Sequence, residues 1–169
     1  MKLNNKRTVL VGLAFLSICS FWQMYDSVIP LILTKTFHMN ETFSGAIMAA
    51  DNVLALFLLP FFGTLSDRTN TRLGKRTPYI LGGTIAAIIL LNILPVLDNS
   101  YYAAASSGKM VMFVIVLGLL LVSMGTYRSP AVALMPDVTP KPLRSRANAI
   151  INLMGAVGGI IYLAVAAVL

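Results

Sequence analysis

The sequence predicts an all-α membrane protein with five spanning helices. Three observations carry that prediction. The 169 residues are 57% hydrophobic and only 11% charged, whereas a soluble domain carries about 25% charged residues. The apolar residues gather into five stretches, each long enough to cross a hydrocarbon core of about 30 Å. The charges cluster between those stretches, with 13 Lys and Arg against 6 Asp and Glu, a net charge of +7. This composition excludes an ordinary soluble enzyme and a disordered chain.

The first expected span runs from Val9 to Leu33 and holds Asp26; the second, from Phe43 to Leu65, holds Asp51. The third runs from Pro78 to Leu97, the fourth from Met110 to Met135 with Arg128 inside it, and the fifth from Ala147 to Leu169. Backbone groups in lipid must pair within their own segment, so these stretches read as helices. A membrane barrel would instead show alternating segments of about ten residues. Lys2, Lys6 and Arg7 precede the first span like the start of a signal peptide, but its apolar length exceeds a signal's 7–15 residues. The chain stops on an apolar AVAAVL without a polar tail, so an end inside or just after the fifth helix is expected.

The connections expected between spans are 35–42, 66–77, 98–109 and 137–146. With the amino terminus inside, Lys2, Lys6, Arg7, Arg68, Arg72, Lys75, Arg76, Lys141, Arg144 and Arg146 face the cytoplasm, and only Lys35 and Lys109 face outward. Ten against two in short loops is a strong positive-inside bias. The net charge is therefore mostly topology, and no soluble basic stripe for nucleic acid exists. The single Cys19 and single His38 mark neither a redox nor a metal site. No phosphate-binding glycine loop follows a span, and no cofactor is expected.

Charged residues inside spans require a reason, because each costs a few kcal/mol to insert. Helical spacing aligns Trp22, Gln23, Asp26 and Pro30 on one broad face, with Tyr25 beside it. Such a face suits a polyol: a ring stacks and a carboxylate accepts hydroxyl protons. The alternative for Asp26 is a structural acid bonded to a neighbouring helix. Asp51 and Asn52 lie at a similar depth, about 12 Å from the outer end of the second span. Two nearby acids make a proton site, or, with Asn52 and backbone carbonyls, a small-cation site; an outer helix cap is the plain alternative. Arg128 is charged at any accessible pH and stands before Pro130 and Pro136, where the helix is expected to bend toward a cavity. Snorkelling to the inner surface is its other explanation. Most of the span glycines are explained by close helix crossings.

The second connection reads PFFGTLSDRTNTRLGKRTPYILGG. It resembles the signature loop between the second and third helices of the major facilitator superfamily, Gly-x-x-x-Asp-Arg followed by Gly-Arg/Lys-Arg. Gly63, Asp67 and Arg68 match the first half, and Gly74, Lys75 and Arg76 the second. The longer spacing, Thr69 to Leu73, resembles the sugar–cation symporters of the glycoside–pentoside–hexuronide and sucrose/proton groups. The run from Tyr127 to Gly159 also resembles the sucrose group, where an Arg in the fourth helix precedes an Ala-Leu-x-x-Asp run, as Arg128, Ala133, Leu134 and Asp137 do here.

The resemblance implies a major facilitator fold, of which this chain would be the first five helices of the N-terminal six-helix bundle. It implies secondary active transport of a sugar or glycoside across the plasma membrane, coupled to a proton or sodium, with Arg128 as a coupling or substrate residue. Ala55 and Leu59 stand where melibiose-type sodium symporters carry acids, which tilts the expectation toward protons. The implied latch, which holds the transporter's two halves in one state, comprises Gly63, Asp67, Arg68, Gly74, Lys75 and Arg76. Asp137 with Arg144 or Arg146 is a candidate second latch. The missing partner would be the C-terminal half of a longer parent. The competing expectation is a non-transporting relic or interaction subunit. A membrane enzyme would want clustered His or paired interfacial acids, so no catalytic residue is assigned.

Overall fold

A computed structural model describes residues 5–168, with side chains for all but residues 5–7, Asp51 and Met135. The expectations that involve Lys2 and Leu169 therefore lie outside the described residues. Helix accounts for 89% of the described residues, with no strand among them. The helices are α1 (Asn5–Lys35), α2 (Glu41–Arg68), α3 (Thr77–Ala103), α4 (Ser107–Val138) and α5 (Arg144–Val168), with a short 3-10 turn at Lys141–Leu143 before α5. All five are long and apolar enough to cross a membrane.

Each helix outruns its apolar stretch. Hydropathy marks the part covered by hydrocarbon, whereas backbone hydrogen bonding continues into the interface. The third connection shows this most clearly: the expected loop 98–109 is helical except at residues 104–106. Asp67 and Arg68, expected in a loop, lie in the last turn of α2. Asp137 is likewise within the last turn of α4. The bend expected at Pro130 and Pro136 does not interrupt α4, which is helical through both.

The chain divides into two compact units, one comprising Met1–Val28 with Ala131–Leu169 and the other Ile29–Pro130. In the first unit, α1 and α5 cross on small residues. A Cβ on Gly158 would collide with the Leu16 backbone, and one on Gly12 with the Met154 sulfur. A Cβ on Gly155 would lie 2.9 Å from Cys19 Sγ. The Ser20 hydroxyl donates to the Gly158 carbonyl at 2.7 Å, which uses the close approach to satisfy a hydroxyl in an apolar setting. Val11, Ala147 and Ile151 form the core here, packed by Phe15, Leu134 and Val138.

In the second unit α4 supplies the centre. Phe113, Leu117, Leu120 and Met124 are at most 1% exposed. On α3, a Cβ on Gly83 would lie 2.9 Å from the Tyr127 backbone nitrogen, so α3 and α4 touch through backbone. α2 meets α4 through Ser129, whose hydroxyl donates to the Leu59 carbonyl at 2.6 Å. None of the most apolar stretch of α2 is buried. The turn after α1 is pinned by Phe37, whose ring lies 4.4 Å from Tyr101 and 4.7 Å from Phe113.

Candidate functional site

The α2–α3 connection is the most fully built polar site. Arg76 is 9% exposed and pairs with Asp67, Nη2 to Oδ1, at 2.8 Å. Its Nη1 donates to Ser66 Oγ at 3.3 Å, and the Ser66 hydroxyl donates in turn to the Gly63 carbonyl at 2.8 Å. A carboxylate in the last turn of a helix opposes the helix dipole; the guanidinium offsets that conflict. Gly63 is needed for closeness, since a Cβ there would lie 3.1 Å from Ser129 Oγ on α4.

Two further bonds fix the loop. The Thr69 hydroxyl donates to the Leu65 carbonyl at 2.9 Å, so its 2.6 Å contact with the Tyr79 hydroxyl has Tyr79 as donor. The Gly74 N–H donates to the Thr71 carbonyl at 3.0 Å, and the Thr71 hydroxyl donates to the Gly74 carbonyl at 2.6 Å. Gly74 has φ +97°, a backbone state that favours glycine. Sequence reasoning found the glycines and charges but missed Ser66, Thr69, Thr71 and Tyr79. Their signal was available only as position: a Ser directly before the Asp, and a Thr three residues before the Gly. Arg68 and Lys75 are exposed.

At the α4–α5 connection Arg144 reaches back to the preceding helix. Its Nη2 donates to the Pro136 carbonyl at 2.9 Å and its Nε to the Thr139 carbonyl at 3.3 Å. These are carbonyls of a helix end that lack intrahelical donors. Asp137 and Arg146 are both exposed.

Of the candidate binding residues, Trp22, Gln23, Tyr25 and Asp26 share α1. Tyr25 is 1% exposed, and the Trp22 ring meets it edge-on with centroids 5.9 Å apart. Asp26 is exposed, and Gln23 is half-buried. Gln23 lies beside α5, where a Cβ on Gly159 would sit 3.8 Å from its Oε1. Pro30 withholds the N–H that would otherwise bond the Asp26 carbonyl. Asp26 lies about 14 Å along the helix from Lys35 at 1.5 Å per residue. Arg128 is half-buried on α4, next to the Ser129 that ties α4 to α2. The Asn52 amide donates to the Met48 carbonyl of its own helix at 3.2 Å. Asp26 belongs to the first unit and Asp51 to the second.

The α2–α3 loop and the apolar helices of spanning length lie within the range that a known family covers. The model of the Major Facilitator Superfamily matches residues 11–169. The chain belongs to that superfamily. Within it, the chain is 28% identical to a sucrose transport protein of Arabidopsis thaliana over 166 residues, which covers 91% of this chain and 27% of that protein. It is 33% identical to an uncharacterized symporter of Bacillus subtilis (strain 168) over 57 residues, 34% of this chain and 12% of that protein. No solved structure matches the chain. This superfamily member is thus a multi-pass membrane protein of a transporter family, and it spans about a quarter of the length of the sucrose transport protein it matches.

Proposed function

We propose that this chain forms the first five helices of a secondary active transporter that moves a sugar or glycoside across the plasma membrane. The observation that carries this reading is the likeness to a sucrose transport protein along 91% of the chain, joined to two charged residues, Asp26 and Arg128, inside spanning helices. The coupled cation is a proton, with sodium as the alternative. The amino terminus is cytoplasmic, as the ten-to-two distribution of basic residues supports.

In this proposal Trp22 offers ring surface with the buried Tyr25 ring packed against it, and Gln23 and Asp26 accept hydroxyl protons from the sugar. Arg128 couples cation to substrate with Asp51 and Asn52. Asp67 and Arg76 hold the α2–α3 loop in one of the transporter's two openings, with Gly63, Arg68, Gly74 and Lys75, and Asp137 with Arg144 or Arg146 forms a second latch. The exchange between openings is rigid-body rocking. The carboxyl-terminal half of a longer parent supplies the opposite wall.

The test is uptake of radiolabelled sucrose and related glycosides by cells expressing the transporter, with external pH recorded in parallel. Concentrative uptake accompanied by external alkalinisation is expected. Arg128→Ala should lower it by about tenfold or more at equal surface expression, the loss of a charge-assisted hydrogen bond. Unchanged concentrative uptake in that variant would remove Arg128 from coupling.

A further inference from the structure

Where α4 hands over to α5 the structure holds an open groove of about 340 Å³ lined by Val132, Pro136, Arg144, Ser145 and Asn148. Its walls differ in kind. Val132 and Pro136 stand one turn apart on α4, and Val132 is 51% exposed. Arg144, Ser145 and Asn148 stand on the first turns of α5, close enough in sequence to share a face. The Arg144 guanidinium is oriented by the Pro136 and Thr139 carbonyls, through Nη2 and Nε, which leaves Nη1 available. Ser145 and Asn148 are exposed and present a hydroxyl and an amide. No carboxylate lines the groove. Lys141 and Arg146 are exposed in the same segment.

We propose that this groove binds the phosphate headgroup of an anionic phospholipid, with the phosphate on Arg144, Ser145 and Asn148 and the acyl chain along Val132. A polar end with a fixed guanidinium fits a phosphate. An exposed apolar wall continuing into a spanning helix fits a lipid better than a free ion. The position at the junction of a span and a basic connection is where an anionic leaflet would meet it. The site is separate from the α1 face and the α2–α3 loop; it shares Arg144 with the proposed second latch and rests on the proposed cytoplasmic orientation of this connection.

The experiment is native mass spectrometry of the full chain in detergent, titrated with phosphatidylglycerol or with phosphatidylcholine of the same acyl chains. Inorganic phosphate at millimolar concentration is added as a competitor. Selective retention of phosphatidylglycerol that survives inorganic phosphate is expected. Arg144→Gln and Asn148→Leu should each weaken that retention by about tenfold, the worth of a hydrogen bond to a charged group. Because Arg144 also caps α4, Asn148→Leu is the variant that leaves the cap intact. Retention unchanged in Asn148→Leu overturns the proposal, as does equal retention of the two lipids. Displacement by inorganic phosphate would make the groove a free-phosphate site and overturn the lipid assignment.

Discussion

Arg76 holds a charge in a setting only 9% open to solvent, and its stability there depends on partners rather than water. Its bonds to Asp67 and Ser66 are made in one direction each, Nη2 to the acid and Nη1 to the hydroxyl. Asp67 is 60% exposed, so its share of the pair is screened; most of the value lies in orienting the guanidinium. Arg76→Ala should therefore cost about 2 kcal/mol of stability, read as a lower melting temperature in detergent. Arg76→Lys should recover only part of it, because Lys lacks the two-pronged geometry. Gly74 makes a different demand. At φ +97° any side chain is strained, and Gly74→Ala should cost about 1 kcal/mol. A melting curve identical to wild type for Gly74→Ala would show that the loop relaxes without its turn.

Among the elements, three of the four connections share a device. Lys109, at the start of α4, donates to the Ser100 carbonyl of α3 at 2.8 Å and to the Ala104 carbonyl just past its end at 3.1 Å. Arg144, at the start of α5, donates to the end of α4, and Arg76 reaches back to the end of α2. Lys109 and Arg144 thus meet the negative end of the previous helix directly, whereas Arg76, just before α3, meets the carboxylate and hydroxyl carried by the last turn of α2. The helices themselves are joined by absence of side chain. Gly83→Ala would put a Cβ 2.9 Å from the Tyr127 nitrogen, and backbone cannot swing aside. We expect a cost of about 1–3 kcal/mol, seen as a lower melting temperature, whereas Gly82→Ala, with open space around it, should be neutral. An equal loss for both would contradict the crossing.

Five helices were legible because each carries a long apolar stretch, set off from the next by charged residues. Their ends were not, because Asp98, Asn99 and Ser100 are polar residues that a helix tolerates once it leaves hydrocarbon. The loop motif was legible in its glycines and charges, since Gly74 and the Asp67–Arg76 pair leave a spacing in the chain. Ser66 and Tyr79 were hidden, because an uncharged hydroxyl gains its importance only from the residue folded against it. Asp26 and Arg128 stood out by the cost of a charge in a span, a signal that names no partner.

For the whole molecule, the superfamily membership across residues 11–169 makes transport the governing question. If the proposed symport holds, residues that bind sugar and residues that couple it to a cation should separate binding from accumulation. Asp26→Asn should weaken sugar binding by about tenfold through loss of a charge-assisted acceptor, while leaving proton-driven exchange of residual substrate in place. Arg128→Ala should do the opposite and uncouple. The most direct measurement is sugar-dependent proton uptake in proteoliposomes carrying the transporter, wild type beside Arg128→Ala. Proton entry with sugar is expected in the wild type, and loss of that entry in the variant. Proton uptake that is indifferent to sugar in the wild type, or undiminished in the variant, would contradict that expectation.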